Sequence, residues 1–167
     1  MLYTSKNADK LLKTLQTELA SLEKRELDSS TFLAATTENV ENVRPEYDFA
    51  EMQKNIAEVE AKIIKVKHAI NTFNVNTIVE PFGKTIDEML IYIPRLNIKK
   101  QKLLRMANMP KLERVEMYQR SNIIDYRYIN FNSSEVKKAY MEVEEELNKA
   151  QLALDQVNIS KTFEIDL

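Results

Sequence analysis

The sequence predicts a mainly all-α chain, built as an antiparallel helical bundle or coiled-coil hairpins with one small β-ribbon inserted. Three observations carry that prediction. One glycine and four prolines in 167 residues leave few turns, and therefore long helices. Two stretches repeat apolar residues at spacings of three and four over several heptads. β-branched and aromatic residues gather in one segment, Ile123 to Asn132. The length fits one domain of ordinary size, so residues 1–167 are read as a single helical domain.

The first helix is expected over about Asn7 to Leu27, where Leu12, Leu15, Leu19 and Leu22 form one stripe and Leu11 widens it. Residues 27–46 follow as a polar, net acidic connection, read as a mobile loop that Phe32, Leu33 and Val40 could pin. The second helix carries the clearest signal. Phe49, Met52, Ile56, Val59, Ile63, Val66, Ile70 and Phe73 make an a/d seam, with lysines and glutamates between them as a solvated flank. The lone His68 stands off that seam and reads as a surface residue.

Residues 74–84 form a turn segment around the single glycine, in EPFGKT (Glu80 to Thr85). A third helix is expected from Thr85, because Thr85 and Glu88 have capping-box spacing. Ile86, Met89, Leu90, Ile93, Leu96, Leu103 and Leu104 give it an apolar side, and Pro94 predicts a kink or a break inside it. Residues 120–132 read as an extended ribbon, with which NVNTIVE (Asn74 to Glu80) could pair. Asn132, Ser133 and Ser134 are N-cap candidates for a last helix, whose seam runs through Val136, Tyr140, Val143, Leu147, Ala150, Leu154 and Val157.

Composition excludes several function classes. With no cysteine there are no disulfides, thiolate metal sites or cysteine nucleophiles. One histidine alone supplies neither a metal site nor a hydrolytic triad, so no metal and no cofactor are expected. The net charge of −2, from 24 basic and 26 acidic residues, argues against a dedicated nucleic-acid binder. No signal-like h-region and no apolar run of about 18 residues occurs, so the expectation is a soluble, cytoplasmic protein without a membrane partner. No nucleophile, base and orienting group assemble from the text, so no enzyme is expected.

Gly83-Lys84-Thr85 is spelled like the end of a nucleotide-binding P-loop, but Ile78 stands where that motif needs its first glycine and Pro81 removes a backbone donor. The segment reads instead as a turn feeding a Thr-capped helix. Lys84 and the N–H groups behind Thr85 remain able to receive an anion. Arg95, Lys99, Lys100, Lys102 and Arg105 follow with no acid between Glu88 and Glu113, either as a solvated face or as an anion-binding or partner-docking one. Arg120, Tyr126, Arg127 and Tyr128 interleave rings and guanidinium groups. They could stack a base and clamp a phosphate, or form a structural ribbon in which Asp125 pairs with Arg127. The run Glu142, Glu144, Glu145 and Glu146 reads as a solvated flank.

Read in order, the leading leucine-rich helix, INTFNVNTIVEPFGKTIDEML, RSNI (Arg120 to Ile123) and the closing LALDQVNISKTFE resemble a family of short bacterial and phage proteins of uncharacterised function, sometimes called septicolysin. The resemblance spans about Asn7 to Glu164 and implies Asn74, Thr77, Gly83, Thr85, Arg120, Ser121 and Asn158 as family-type positions. Asn122, Pro94 and Ile124 depart from its pattern. The name implies a toxin, for which this chain has no amphipathic pore segment.

The function expected is a non-enzymatic helical homo-oligomer, dimer or higher, since long seams in a short chain need partners. It would bind or sequester a small anionic, nucleotide-like ligand through Lys84, Thr85, Arg95, Lys99, Arg120, Tyr126, Arg127 and Tyr128. A phage protein sequestering an immune signalling nucleotide would be one instance. The alternative is a structural or adaptor coiled coil that binds another protein.

Overall fold

The computed structural model describes residues 1–115 and 125–167, and among these the chain is mainly helical with small antiparallel strand pairs. In chain order the elements are β1 (Leu2–Thr4), α1 (Ser5–Ser29), α2 (Val40–Val43), α3 (Phe49–Asn76), β2 (Ile78–Val79), β3 (Lys84–Thr85), α4 (Ile86–Ala107), β4 (Leu112–Val115), β5 (Asp125–Tyr128), α5 (Ser133–Ser160) and β6 (Thr162–Glu164). They fall into two compact units, Met1–Thr77 with Val157–Leu167, and Ile78–Gln156.

In the first unit, the Thr4 hydroxyl accepts from the Asn7 N–H at 3.3 Å and starts α1, while the Asp48 carboxylate accepts from Glu51 at 3.1 Å and starts α3. Ala8 and Leu15 of α1 pack with Val59, Ile63 and Val66 of α3 and with Ile165. The predicted leucine stripe of α1 flanks this core through Leu11, Leu12, Leu19 and Leu22. At one end of the pair, Glu26 accepts from Tyr47 at 3.1 Å and from Gln53 at 2.6 Å, so the last turn of α1 meets the first turns of α3. At the other end β1 pairs with β6, Tyr3 opposite Phe163, and Phe163 stacks on Phe73 at 4.4 Å. The two helices therefore run in opposite directions, and each fully buried aliphatic contributes about 1.5–3 kcal/mol.

The predicted α3 seam is the buried one at Met52, Val59, Ile63, Val66 and Phe73, with Phe49 exposed at its start. Within residues 27–46, α1 continues to Ser29 and Asn39 caps the single turn α2. Arg44 returns from α2 to lie over the Phe32 ring at 5.3 Å, whereas Leu33 is fully exposed.

In the second unit, α4 buries Ile86, Met89 and Leu96, and α5 buries Val136, Val143, Leu147, Ala150, Ala153 and Leu154. Asn132 caps α5, its side-chain oxygen accepting from the Ser134 N–H at 2.9 Å. Helix α4 runs without interruption through Pro94, so of the kink or break expected there, the break does not occur. One backbone bond is lost at proline, but buried Met89 and Leu96 on either side hold both halves in place. The ribbon also differs from expectation. Strand β2 pairs with β3 (Ile78 opposite Thr85), and β5 pairs with β4 (Glu113 opposite Arg127), each within its own hairpin. A short hairpin closes far less chain than a pairing between residues 78 and 125 would, and the local partner wins.

Candidate functional site

The turn at EPFGKT joins β2 to β3. Phe82 N–H donates to the Val79 carbonyl at 3.1 Å, and Gly83 sits at φ +60°, a conformation that favours glycine. Thr85 then caps α4 as its spacing predicts: its hydroxyl accepts from the Glu88 N–H at 3.2 Å, and its own N–H donates to the Glu88 carboxylate at 2.7 Å. That backbone N–H, and after it the Thr85 hydroxyl, which donates to the same carboxylate at 3.2 Å, hold the Glu88 carboxyl below the usual carboxylate range. An incoming anion at this helix start would meet Asp87 and Glu88. Lys84 points elsewhere, its Nζ 5.0 Å from the centre of the Tyr92 ring.

Tyr92 anchors one polar cluster between α4 and α5. Its hydroxyl donates to the Glu146 carboxylate, and its ring lies 6.2 Å from that of Phe82. The carboxylate beside it, with burial adding to the effect, pushes the Tyr92 phenol up to about 12. About two turns along α4, Lys100 reaches Glu144 at 2.7 Å, and Tyr140 donates to the same carboxylate at 3.0 Å. Pairing with Glu144 raises the Lys100 ammonium and lowers the Glu144 carboxyl. The acidic run is thus divided: Glu144 and Glu146 face α4, while Glu142 and Glu145 are exposed. Sequence periodicity placed all four in one flank because it carries no information on which cation or phenol the neighbouring helix presents.

The basic stretch of α4 divides in the same way. Lys100 is the inward cation; Arg95, Lys99, Lys102 and Arg105 are exposed and, among the described residues, in no ion pair. The β4–β5 hairpin gathers the remaining candidates. Register places Leu112 opposite Tyr128 and Arg114 opposite Tyr126, so these four side chains share one face. Cross-strand neighbours have Cβ atoms about 4.5–5.5 Å apart and diagonal ones about 7–8 Å, so Arg114 lies within reach of both rings. Leu112, Tyr126 and Tyr128 are 50%, 48% and 69% exposed.

On the opposite face Arg127 bonds to Glu113 at 3.3 Å, in place of the pair with Asp125 considered from the sequence. Two residues apart on one strand is about 6.7 Å, farther than a direct cross-strand neighbour. Arg127, Glu113 and Tyr128 also line a pocket of about 220 Å³ with Met109, Pro110 and Phe131. Arg120 lies outside the described residues. Arg114 is the residue sequence reasoning missed; strand parity from Leu112 was the signal that could have found it.

The structure therefore gathers Tyr126, Arg127 and Tyr128 on one hairpin, sets Arg95 and Lys99 on the outside of α4, and leaves Lys84 and Thr85 engaged at its start. A larger cleft of about 490 Å³ opens in the first unit, where Arg25 faces Glu46, Asp48 and Glu51 over Leu22 and Met52. Among the described residues no cluster of three His, Cys, Asp or Glu could hold a metal ion, and no helix is long and apolar enough to cross a membrane.

No protein-family model matches the chain, and no curated protein does. The fold is similar to a solved structure, that of a functionally unknown conserved protein from Corynebacterium diphtheriae. It has a TM-score of 0.58 and 16% identity, and the match covers 98% of this chain and 100% of the other.

Proposed function

We propose that this chain is a non-enzymatic binding protein that holds a small anionic ligand carrying a planar ring, such as a nucleotide, on the exposed face of the β4–β5 hairpin. The observation that carries the reading is the register that puts Arg114 across from Tyr126 and diagonal to Tyr128 on a solvent-facing surface. Tyrosine faces stack on any nucleobase, at about 1–3 kcal/mol per base. A guanidinium at that separation reaches an attached phosphate and gives a charge-assisted, bidentate contact.

We read the helices as forming antiparallel coiled-coil hairpins, α1 with α3 being one such hairpin. Its role is that of a cytoplasmic sponge, holding the ligand without turning it over. A second reading, an adaptor for another protein, rests on the same exposed composition, because tyrosine and arginine dominate the centres of protein interfaces.

Heating the purified protein and identifying the released small molecules by mass spectrometry tests the first reading. The expected result is a nucleotide-like anion, present with the wild type and lost with Tyr126→Ala and Arg114→Ala. A protein that releases no such molecule and instead co-purifies with a stoichiometric protein, lost with the same two variants, would replace the first reading with the second.

A further inference from the structure

We propose that a second copy of this chain docks on the outside of α4 and α5, the exposed stripe of α4 in one copy lying against the exposed stripe of α5 in another. It concerns surfaces other than the hairpin and does not depend on the ligand.

Each of the two helices carries a second seam on the side away from its buried one. On α4 it is Ile91, Arg95, Ile98, Lys102 and Arg105, spaced four, three, four, three; all five are exposed. On α5 it is Met141, Glu145, Asn148, Leu152 and Asp155, with the same spacing and again all exposed. Ile91, Ile98, Met141 and Leu152 each leave 61–67% of their surface in water. Aliphatic side chains at heptad spacing on an outer face are the arrangement by which helices associate.

Charge decides what covers them. The α4 stripe is flanked by no acid between Glu88 and Glu113, and its three cations have no ion pair among the described residues. A matching partner must combine apolar groups with carboxylates, and the α5 stripe of this chain presents both, Glu145 and Asp155 being ten residues apart like Arg95 and Arg105. Asp155 has no ion pair among the described residues, and Glu145 is held only by Lys149, an exposed contact at 2.6 Å four residues along its own helix. Exposed pairs of that kind contribute a few tenths of a kcal/mol, so a guanidinium from another copy competes for the carboxylate readily. Two α4 faces would repel each other; an α4 face and an α5 face attract.

The test is a charge exchange. Light scattering and sedimentation equilibrium on the wild type should show a mass that is a multiple of the monomer's and falls as salt rises. Arg95→Glu with Lys102→Glu, and separately Glu145→Lys with Asp155→Lys, should each weaken association at least tenfold while the circular dichroism of the helices stays unchanged. An equimolar mixture of the two double variants should associate again, since each supplies the charge the other lacks. A wild type that is monomeric throughout, variants that associate like the wild type, or a mixture that stays apart would each overturn the proposal.

Discussion

Replacing Tyr92 by Phe removes one hydroxyl and keeps the ring that packs near Phe82 and under Lys84. The hydroxyl donates to the Glu146 carboxylate, and a hydrogen bond to a charged group contributes about 1.5–3 kcal/mol. Tyr92 is partly exposed, so solvent screening puts the expected loss near the lower end, about 1–2 kcal/mol. The pH dependence has a definite sign. The Tyr92 phenol is raised from 10.0 to about 12 in the folded chain. A raised pKa means the folded state holds the proton longer, so the contribution is fully present below pH 10 and disappears as pH rises toward 12.

Urea unfolding of wild type and Tyr92→Phe between pH 7 and 11.5 gives the difference directly. Below pH 10 the two should differ by a constant amount, and above it the curves should converge. The difference in phenolate absorbance between them should titrate near pH 12. A constant gap across the whole range, or a Tyr92 phenolate appearing near pH 10, would refute the Tyr92–Glu146 contact.

Met89 is fully buried, so Met89→Ala should cost about 2–5 kcal/mol, while Met89→Leu should cost less than about 1.5, both read from urea midpoints. Thr85→Ala removes the cap of α4 and should cost about 1 kcal/mol at pH 7. Because the folded Glu88 carboxyl is depressed, the bond it accepts from the Thr85 hydroxyl at 3.2 Å is present above the unfolded carboxylate pKa and is lost as pH falls through the folded one, whereas the bond from the Thr85 backbone N–H survives the substitution. The penalty of Thr85→Ala should therefore shrink in acid. Gly83→Ala meets no atom within 4 Å of the added Cβ, yet it holds an alanine at φ +60°. Its expected cost, about 1–2 kcal/mol, comes from the backbone alone, and thermal unfolding should show it.

The helices were legible because burial has a period. The α3 seam from Met52 to Phe73 and the α5 seam from Val136 to Val157 are stripes that only one side of a helix can hide. Local chemistry was legible for the same reason: Thr85 with Glu88, and Asn132 before Ser134, are contacts within a single turn. Contacts between elements were not. Nothing in the spacing of Glu144 and Glu146 says that Lys100 and Tyr92 will face them across a helix pair. Strand pairing followed loop closure more than composition, so β5 took β4 as its partner and brought Arg114 beside the tyrosines. Of the candidate site, the tyrosines and Arg127 could be read from the text; the guanidinium that shares the tyrosines' face required the register.

The most direct measurement of the hairpin reading follows the ring protons of Tyr126 and Tyr128 by NMR as the four common nucleoside monophosphates are added. The binding account predicts upfield shifts at both rings from a base stacked on them, weakened by Arg114→Ala, with Tyr3 and Tyr47 unmoved. Rings that stay unshifted to millimolar nucleotide, or shifts that ignore Arg114→Ala, would contradict it.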